Sequence, residues 1–151
     1  LKLMGYIAFI MIVASGYAEV LKVSGGIDSL VLTLMPFIQE NALVAVFAML
    51  FVGLVITMGI GTSFGTIPII AALFCPLCLS LGFSNAAIIF IIGVAGALGD
   101  AGSVASETTL GVSAGLNADK QHDHIRDTCI PTFVFYNLPL LILGSVITIL
   151  L

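Results

Sequence analysis

Charge is what this sequence has least of. Of 151 residues only four are Lys or Arg and eight are Asp or Glu, 8% in all, against the roughly 25% of an ordinary soluble domain. A chain so poor in charge cannot cover a water-facing surface, which excludes a soluble globular protein. Lys2, Lys22, Lys120 and Arg126 are its basic residues, too few and too scattered to suggest a nucleic-acid partner. The apolar runs are continuous, without the period-two alternation that a membrane β-barrel needs. Cysteine is scarce as well, with three in all. Cys75-Pro-Leu-Cys78 has redox-motif spacing. It lies in an apolar run with no βαβ pattern around it, where cysteine packs as a small hydrophobe.

What is present is apolar length. The chain is 60% hydrophobic, with a mean hydropathy of +1.28. Lipid satisfies no free backbone N–H or C=O, so spanning segments must be helices or closed barrels. With barrels excluded, the expected fold is an all-α integral membrane helix bundle. A single transmembrane domain over residues 1–151 is expected, multi-pass in the plasma membrane. Lys120 and Arg126 favour a cytoplasmic 116–127 loop. The chain opens at Leu1 inside an apolar stretch, with no cleavable leader pattern. That reads as the C-terminal portion of a longer protein.

Taken in order, residues 3–14 read as a span or the end of one. Glu19 and Lys22 follow in a looser stretch and, three apart, would share a helix face. Residues 27–39, with Asp28 and Pro36, suit a half-span or interfacial helix. Residues 42–60 form a full-length span, and 67–81 resume after a gap, interrupted by Pro68 and Pro76. A turn at 82–85 precedes a span over 86–97. Residues 117–127 are the strongly polar segment. Pro131 is expected to open the last span, over 131–151, with a kink at Pro139.

Two interruptions carry chemistry. No charged residue occurs between Asn41 and Gly99, so Asp100 ends a long neutral run. Glycines at 96, 99 and 102 make a continuous helix there costly, at roughly 1 kcal/mol each relative to alanine. The expectation is a helix that breaks at membrane depth and carries an ionisable group at the break, a functional position by default. The other interruption is Gly61–Thr66. Gly61 and Gly65 also fit a helix-packing motif. Carbonyls freed at such breaks are tolerated where they line a cavity or hold a ligand, and paired breaks point to a secondary-transporter site.

Oxygen donors suit a small hard cation. Thr62, Ser63, Thr66, Ser103, Ser106, Thr108 and Thr109 supply them, and Asp100 and Glu107 supply negative charge. Burial favours the neutral form of a carboxylate, so one site can alternate between sodium and a proton. Helix N-termini at the breaks could instead hold the carboxylate of an organic substrate. His122-Asp123-His124 lacks the further ligands of a tetrahedral metal set. His124 suits a pH-responsive role in a gating loop.

At these residues the chain resembles the NhaC-type sodium/proton antiporter family. Gly61-Thr62-Ser63-Phe64-Gly65-Thr66 resembles its GTSWGT signature. Gly99-Asp100 with Ser103-Val104-Ala105-Ser106-Glu107-Thr108-Thr109 resembles its GD…SPxSDTT stretch. Asp123-His124 and Pro131 resemble its DH…P pattern. Gly115-Leu116-Asn117 through Cys129 and Pro131 is similar to a subfamily with a GLN…QHDHIxDTC…P segment. Members of that subfamily are named as sodium/proton antiporters or as amino-acid (histidine) transporters. Val104 replaces the family proline, and Glu107 replaces the family aspartate with one methylene more. The resemblance implies broken or re-entrant helices and one half of an inverted-repeat transporter.

The leading expectation is therefore Na+/H+ antiport with Asp100 as the shared carrier. A cation-coupled amino-acid transporter is the second reading, and a structural membrane subunit without transport the third. No enzymatic role is expected, and no cofactor beyond transported Na+ and H+. Expected partners are the lipid bilayer, a small cation, an amino acid under the second reading, the missing N-terminal half, and a second copy in a homodimer.

Overall fold

The computed structural model describes residues 41–151 throughout and, before them, only Phe9, Ile12, Val13, Gly16, Val20, 23–25, Ser29 and Leu32. The expected span over 3–14, the Glu19–Lys22 pair and the half-span over 27–39 lie outside the described residues.

The first described helix, α1 (Ala42–Ile60), matches the expected span at both ends. Asn41 starts it by accepting the Leu43 N–H on its side-chain oxygen at 3.1 Å, as N-cap residues do. Gly61 stops it. Its φ of 75° is left-handed, and its N–H bonds the Thr57 carbonyl at 2.8 Å. Glycine takes this conformation without a Cβ penalty. A Cβ there would also stand 2.8 Å from the Ala105 carbonyl oxygen.

Only Gly61 and Thr62 separate α1 from α2 (Ser63–Ser80). The first interruption is thus narrower than its composition suggests, because Ser63 to Thr66 already form the first turn of α2. Both prolines sit inside α2 instead of ending it. Ser84 then caps α3 (Asn85–Ala97), accepting the Ala87 N–H at 3.1 Å.

At 13 residues α3 rises about 20 Å, short of a hydrocarbon core about 30 Å thick. The span expected over 86–97 is therefore a short helix that covers about two-thirds of that thickness. Residues 98–106 follow in turns and irregular backbone, and α4 (Glu107–Leu116) begins after them. A short 3₁₀ turn, Asn117–Asp119, leads to the polar loop.

The last helix, α5 (His124–Leu150), runs for 27 residues. It begins seven residues before Pro131, earlier than expected. Asp123 explains the early start, since its carboxylate accepts the N–H of Ile125 at 3.0 Å and of Arg126 at 2.8 Å. Wide π-helical turns at His124–Cys129 and Phe133–Asn137 precede and follow Pro131. In the second, the Leu138 N–H reaches back five residues to the Phe133 carbonyl. That wider winding precedes Pro139, which has no N–H to donate.

By length and composition, α1, α2 and α5 could each cross a membrane. Their buried residues meet those of α3 in one cluster around Leu50, Ile70, Ile91, Leu98 and Leu141. Between membrane helices, close approach matters more than apolar burial, because lipid is equally apolar. Thus Gly53 lies against Ala95, where a Cβ on Gly53 would come within 2.7 Å of the Ala95 Cβ. The Thr57 hydroxyl crosses the same contact to the Ala95 carbonyl at 3.1 Å. Among the described residues the result is an all-α bundle in which two short helices, α3 and α4, flank an irregular stretch.

Candidate functional site

Asp100 lies three residues past the end of α3, half-buried, in the break. The sequence folds this way because Gly99 can adopt a φ of 82° against α1, 2.8 Å from the Leu54 carbonyl at its would-be Cβ. No other residue type fits that backbone and that space cheaply.

Two elements far apart in sequence converge on the Asp100 carboxylate. Ser63, in the first turn of α2, donates to Oδ2 at 2.6 Å. Ser106, the N-cap of α4, donates to Oδ1 at 2.5 Å. Both distances fall in the range of hydroxyl donation to a charged acceptor. Thr108 completes the group, lying 2.8 Å from Ser106 Oγ and 3.0 Å from the Asp100 carbonyl oxygen. The acid is therefore met by hydroxyls at the N-terminal ends of two helices, where the helix dipoles are positive.

Other expected residues hold the break in shape. Buried Ser103 donates to the Met58 carbonyl at 3.0 Å and accepts the Ala105 N–H at 3.2 Å, tying the break to α1. Buried Thr109 bonds the Ser103 and Ser106 carbonyls. Thr66 is fully buried but turns back to the Thr62 carbonyl at 2.7 Å. Thr62 itself marks the α1–α2 junction in extended backbone. Glu107 is exposed in the first turn of α4, outside the Asp100 hydrogen-bond group. Solvent and the α4 dipole suit an acid there.

One participant was not expected. Asn137, 1% exposed, stands at the midpoint of α5 and brackets the break. Its side-chain oxygen accepts the Gly99 N–H at 3.3 Å, and its amide donates to the Ala101 carbonyl at 2.5 Å. Asparagine has both a donor and an acceptor to give, which lets it satisfy an unwound backbone on both sides of Asp100. An amide side chain amid the apolar run of residues 131–151 was its sequence signal.

His124 lies beyond the break. Its Nδ1 is 2.6 Å from Ser113 Oγ, and its Nε2 is 3.0 Å from the Val104 carbonyl oxygen. Outside the membrane segments, the Arg126 N–H holds the Asp123 carboxyl below the usual carboxylate range. Cys75, Cys78 and Cys129 are free thiols. Among the described residues no group of three His, Cys, Asp or Glu side chains could hold a metal ion.

The chain was compared with known proteins. It is 57% identical over 142 residues to a Bacillus subtilis protein provisionally named amino acid transporter YuiF, covering 94% of this chain and 32% of that protein. It is 54% identical over 144 residues to an uncharacterized membrane protein of Haemophilus influenzae, covering 95% and 32%. The chain thus spans about a third of the length of the curated relatives it matches. No solved structure matches it. The model of the Na+/H+ antiporter family matches residues 1–145. With its irregular stretch between two short helices and its membrane-length neighbours, the chain belongs to the Na+/H+ antiporter family.

Proposed function

We propose that the whole protein exchanges sodium for protons across the plasma membrane, with the Asp100 carboxylate taking cation and proton in turn. The observation that carries this reading is the pairing of both Asp100 oxygens with hydroxyls, from Ser63 and Ser106, and, among the described residues, not with Lys or Arg. A hydroxyl is a rotor. It donates to a carboxylate when no cation is bound, and turns its lone pairs inward when one arrives. Asp100, Ser63, Ser106 and Thr108 can thereby present oxygens to sodium without moving the backbone. When the acid is protonated instead, the hydroxyl facing the protonated oxygen turns to accept and the other goes on donating. The break stands opposite the midpoint of α5, which suits a site near the bilayer centre reached alternately from each side. The described bundle forms one half of such a carrier, and residues outside this chain complete the cavity.

A second reading, cation-coupled amino-acid transport, draws on the name of the Bacillus relative. The helix N-termini that would hold a substrate carboxylate are turned on Asp100 itself, which weighs toward ion exchange.

The test uses the full-length protein in liposomes with a pH-sensitive dye inside. Sodium added outside should drive proton efflux, and Asp100→Asn should reduce it to the leak. Ser63→Ala provides a graded check. The variant removes one oxygen from the set offered to sodium, so apparent sodium affinity should fall severalfold. Absence of sodium-driven proton movement in the unmodified protein would sink the exchange reading. Uptake of labelled amino acids, histidine first, would then test the second.

A further inference from the structure

We propose that His122, Thr128, Ser113 and His124 form a proton relay from the polar loop to the Asp100 break. Four side chains on three segments form an unbroken chain. His122 Nε2 lies 2.7 Å from Thr128 Oγ1. Thr128 Oγ1 lies 3.0 Å from Ser113 Oγ, and Ser113 Oγ lies 2.6 Å from His124 Nδ1. The far nitrogen of His124 contacts the carbonyl of Val104, within the break. Both hydroxyls are buried and both imidazoles half-buried, so the middle of the chain is shielded while its ends are reachable.

The proton positions follow from what each atom can do. The Val104 carbonyl only accepts, so His124 Nε2 carries a proton. With His124 neutral, Nδ1 is bare and takes the Ser113 proton. In that state Ser113 accepts from Thr128 and Thr128 accepts from His122 Nε2–H, the reverse of the Ser113-to-Thr128 donation in the structure, which is the arrangement after transfer. Let His122 gain a proton from water at Nδ1. Its Nε2–H passes to Thr128, the Thr128 proton passes to Ser113, and the Ser113 proton passes to His124 Nδ1. Three O–H or N–H bonds break and three form. Each hydroxyl ends with one proton, reversed in direction, and one positive charge has moved from His122 to His124. Ser113 now donates to Thr128 and Thr128 to His122. Because both end arrangements keep every hydrogen bond, little besides the two imidazole environments separates them in energy. Imidazoles titrate near neutrality, which suits repeated transfer.

The other charged and titratable groups on the elements around the relay are few. Glu107 opens α4, and Asp119 and Lys120 lie in the turn after it. Asp123 acts on His122 through space, and its N–H is held by Asp127 at 2.8 Å. Arg126 lies on the same turn of α5, and the Cys129 thiol is 3.5 Å from His124 Nε2. Asp123 lies between the two histidines in sequence. No lysine or arginine is inserted in the chain of hydroxyls.

The relay rests on the exchange reading for its purpose: His124 gives its Nε2 proton to water at the Val104 carbonyl in the break, that water supplies the proton Asp100 trades for sodium, and the rings and hydroxyls turn back before the next transfer. Its chemistry can be read separately. The full-length protein in lipid nanodiscs, with ¹⁵N-labelled histidine, should show His122 and His124 titrating as a coupled pair in two shared steps. Thr128→Val and Ser113→Ala, which keep both histidines, should each split them into independent single steps. In liposomes the same two variants should slow sodium-driven proton flux at least tenfold while sodium binding, by calorimetry, stays within twofold. Thr128→Ser restores the hydroxyl and should recover at least a third of the flux. Unchanged histidine titration in both variants would overturn the relay. So would uncoupled titration with full flux, because the transported proton would then go another way. If the unmodified protein shows coupled titration but no sodium-driven flux, the relay stands and the exchange reading falls.

Discussion

Asn137 illustrates how one residue supports a site that it does not touch. It satisfies Gly99 and Ala101, one on each side of Asp100. Removing the amide would leave a buried N–H and a half-buried C=O without this partner, the first costing about 1–3 kcal/mol and the second less. Asn137→Ala should therefore lower the unfolding midpoint in detergent and weaken sodium binding together. Asn137→Asp, which keeps only the acceptors, should satisfy Gly99 but not Ala101 and recover part of the loss. Wild-type melting of Asn137→Ala would refute the bracket. Asp100 itself was legible in the sequence, because a carboxylate after fifty-odd neutral residues has few bland explanations. Asn137 was visible only as a polar residue in an apolar run, since its partners lie 36 and 38 positions away. Glu107 shows the opposite case. It shares a motif with Ser106, yet one step along the chain carries it from the carboxylate group to the exposed first turn of α4.

At the scale of elements, caps decide where helices begin, and one cap is pH-dependent. Asp123 accepts two backbone N–H groups at the start of α5, and its pKa is lowered chiefly by the Arg126 N–H. A carboxyl whose folded pKa lies below its unfolded value stabilises the fold above the unfolded value, about 3.9 for aspartate. That contribution is lost as pH falls toward and through the folded value. The first turn of α5 should therefore fray as pH drops below about 4, seen as faster amide exchange at Ile125 and Arg126. Asp123→Asn should retain an oxygen acceptor and remove the pH dependence. Asp123→Ala should fray at every pH. Protection in the Asp123→Ala variant equal to the unmodified protein would rule out the cap. The bounds of α1 could be read from hydropathy and Gly61, whereas the early start of α5 could not. Pro131 is a strong local stop signal, and the adjacent π-helical turns that accommodate it leave no mark in hydropathy.

Over the whole molecule, the two ends of α5 mark two sides of the bundle. Ser84, in the turn between α2 and α3, bonds the Leu151 carbonyl at 3.0 Å. The Asn117–Asp119 turn lies at the other end, between α4 and the start of α5. In a protein whose natural cysteines 75, 78 and 129 are replaced by alanine, Ser84→Cys and Asp119→Cys should react with a membrane-impermeant maleimide from opposite sides. By the positive-inside rule, with Lys120 and Arg126 nearby, the Asp119→Cys variant should react from the cytoplasm. Labelling of both from one side would overturn the arrangement. The exposed apolar side chains along α1 and α5, among them Phe51, Val55, Ile142 and Leu143, suit contact with lipid or with another apolar protein surface.

By itself the sequence determined that this is a membrane helix bundle, where α1 runs, and that Asp100 stands at a glycine-rich interruption. These are properties of single residues and their near neighbours: transfer to lipid, backbone freedom, and the cost of an isolated charge. Tertiary structure alone decided that Ser63 and Ser106 grip Asp100, that Asn137 brackets it, and that His122 and His124 share one chain of hydroxyls. Those are properties of pairs brought together by helix packing. Hydroxyls and amides have almost the same local signature wherever they occur, so their roles are fixed only when another helix puts a partner within 3 Å or so.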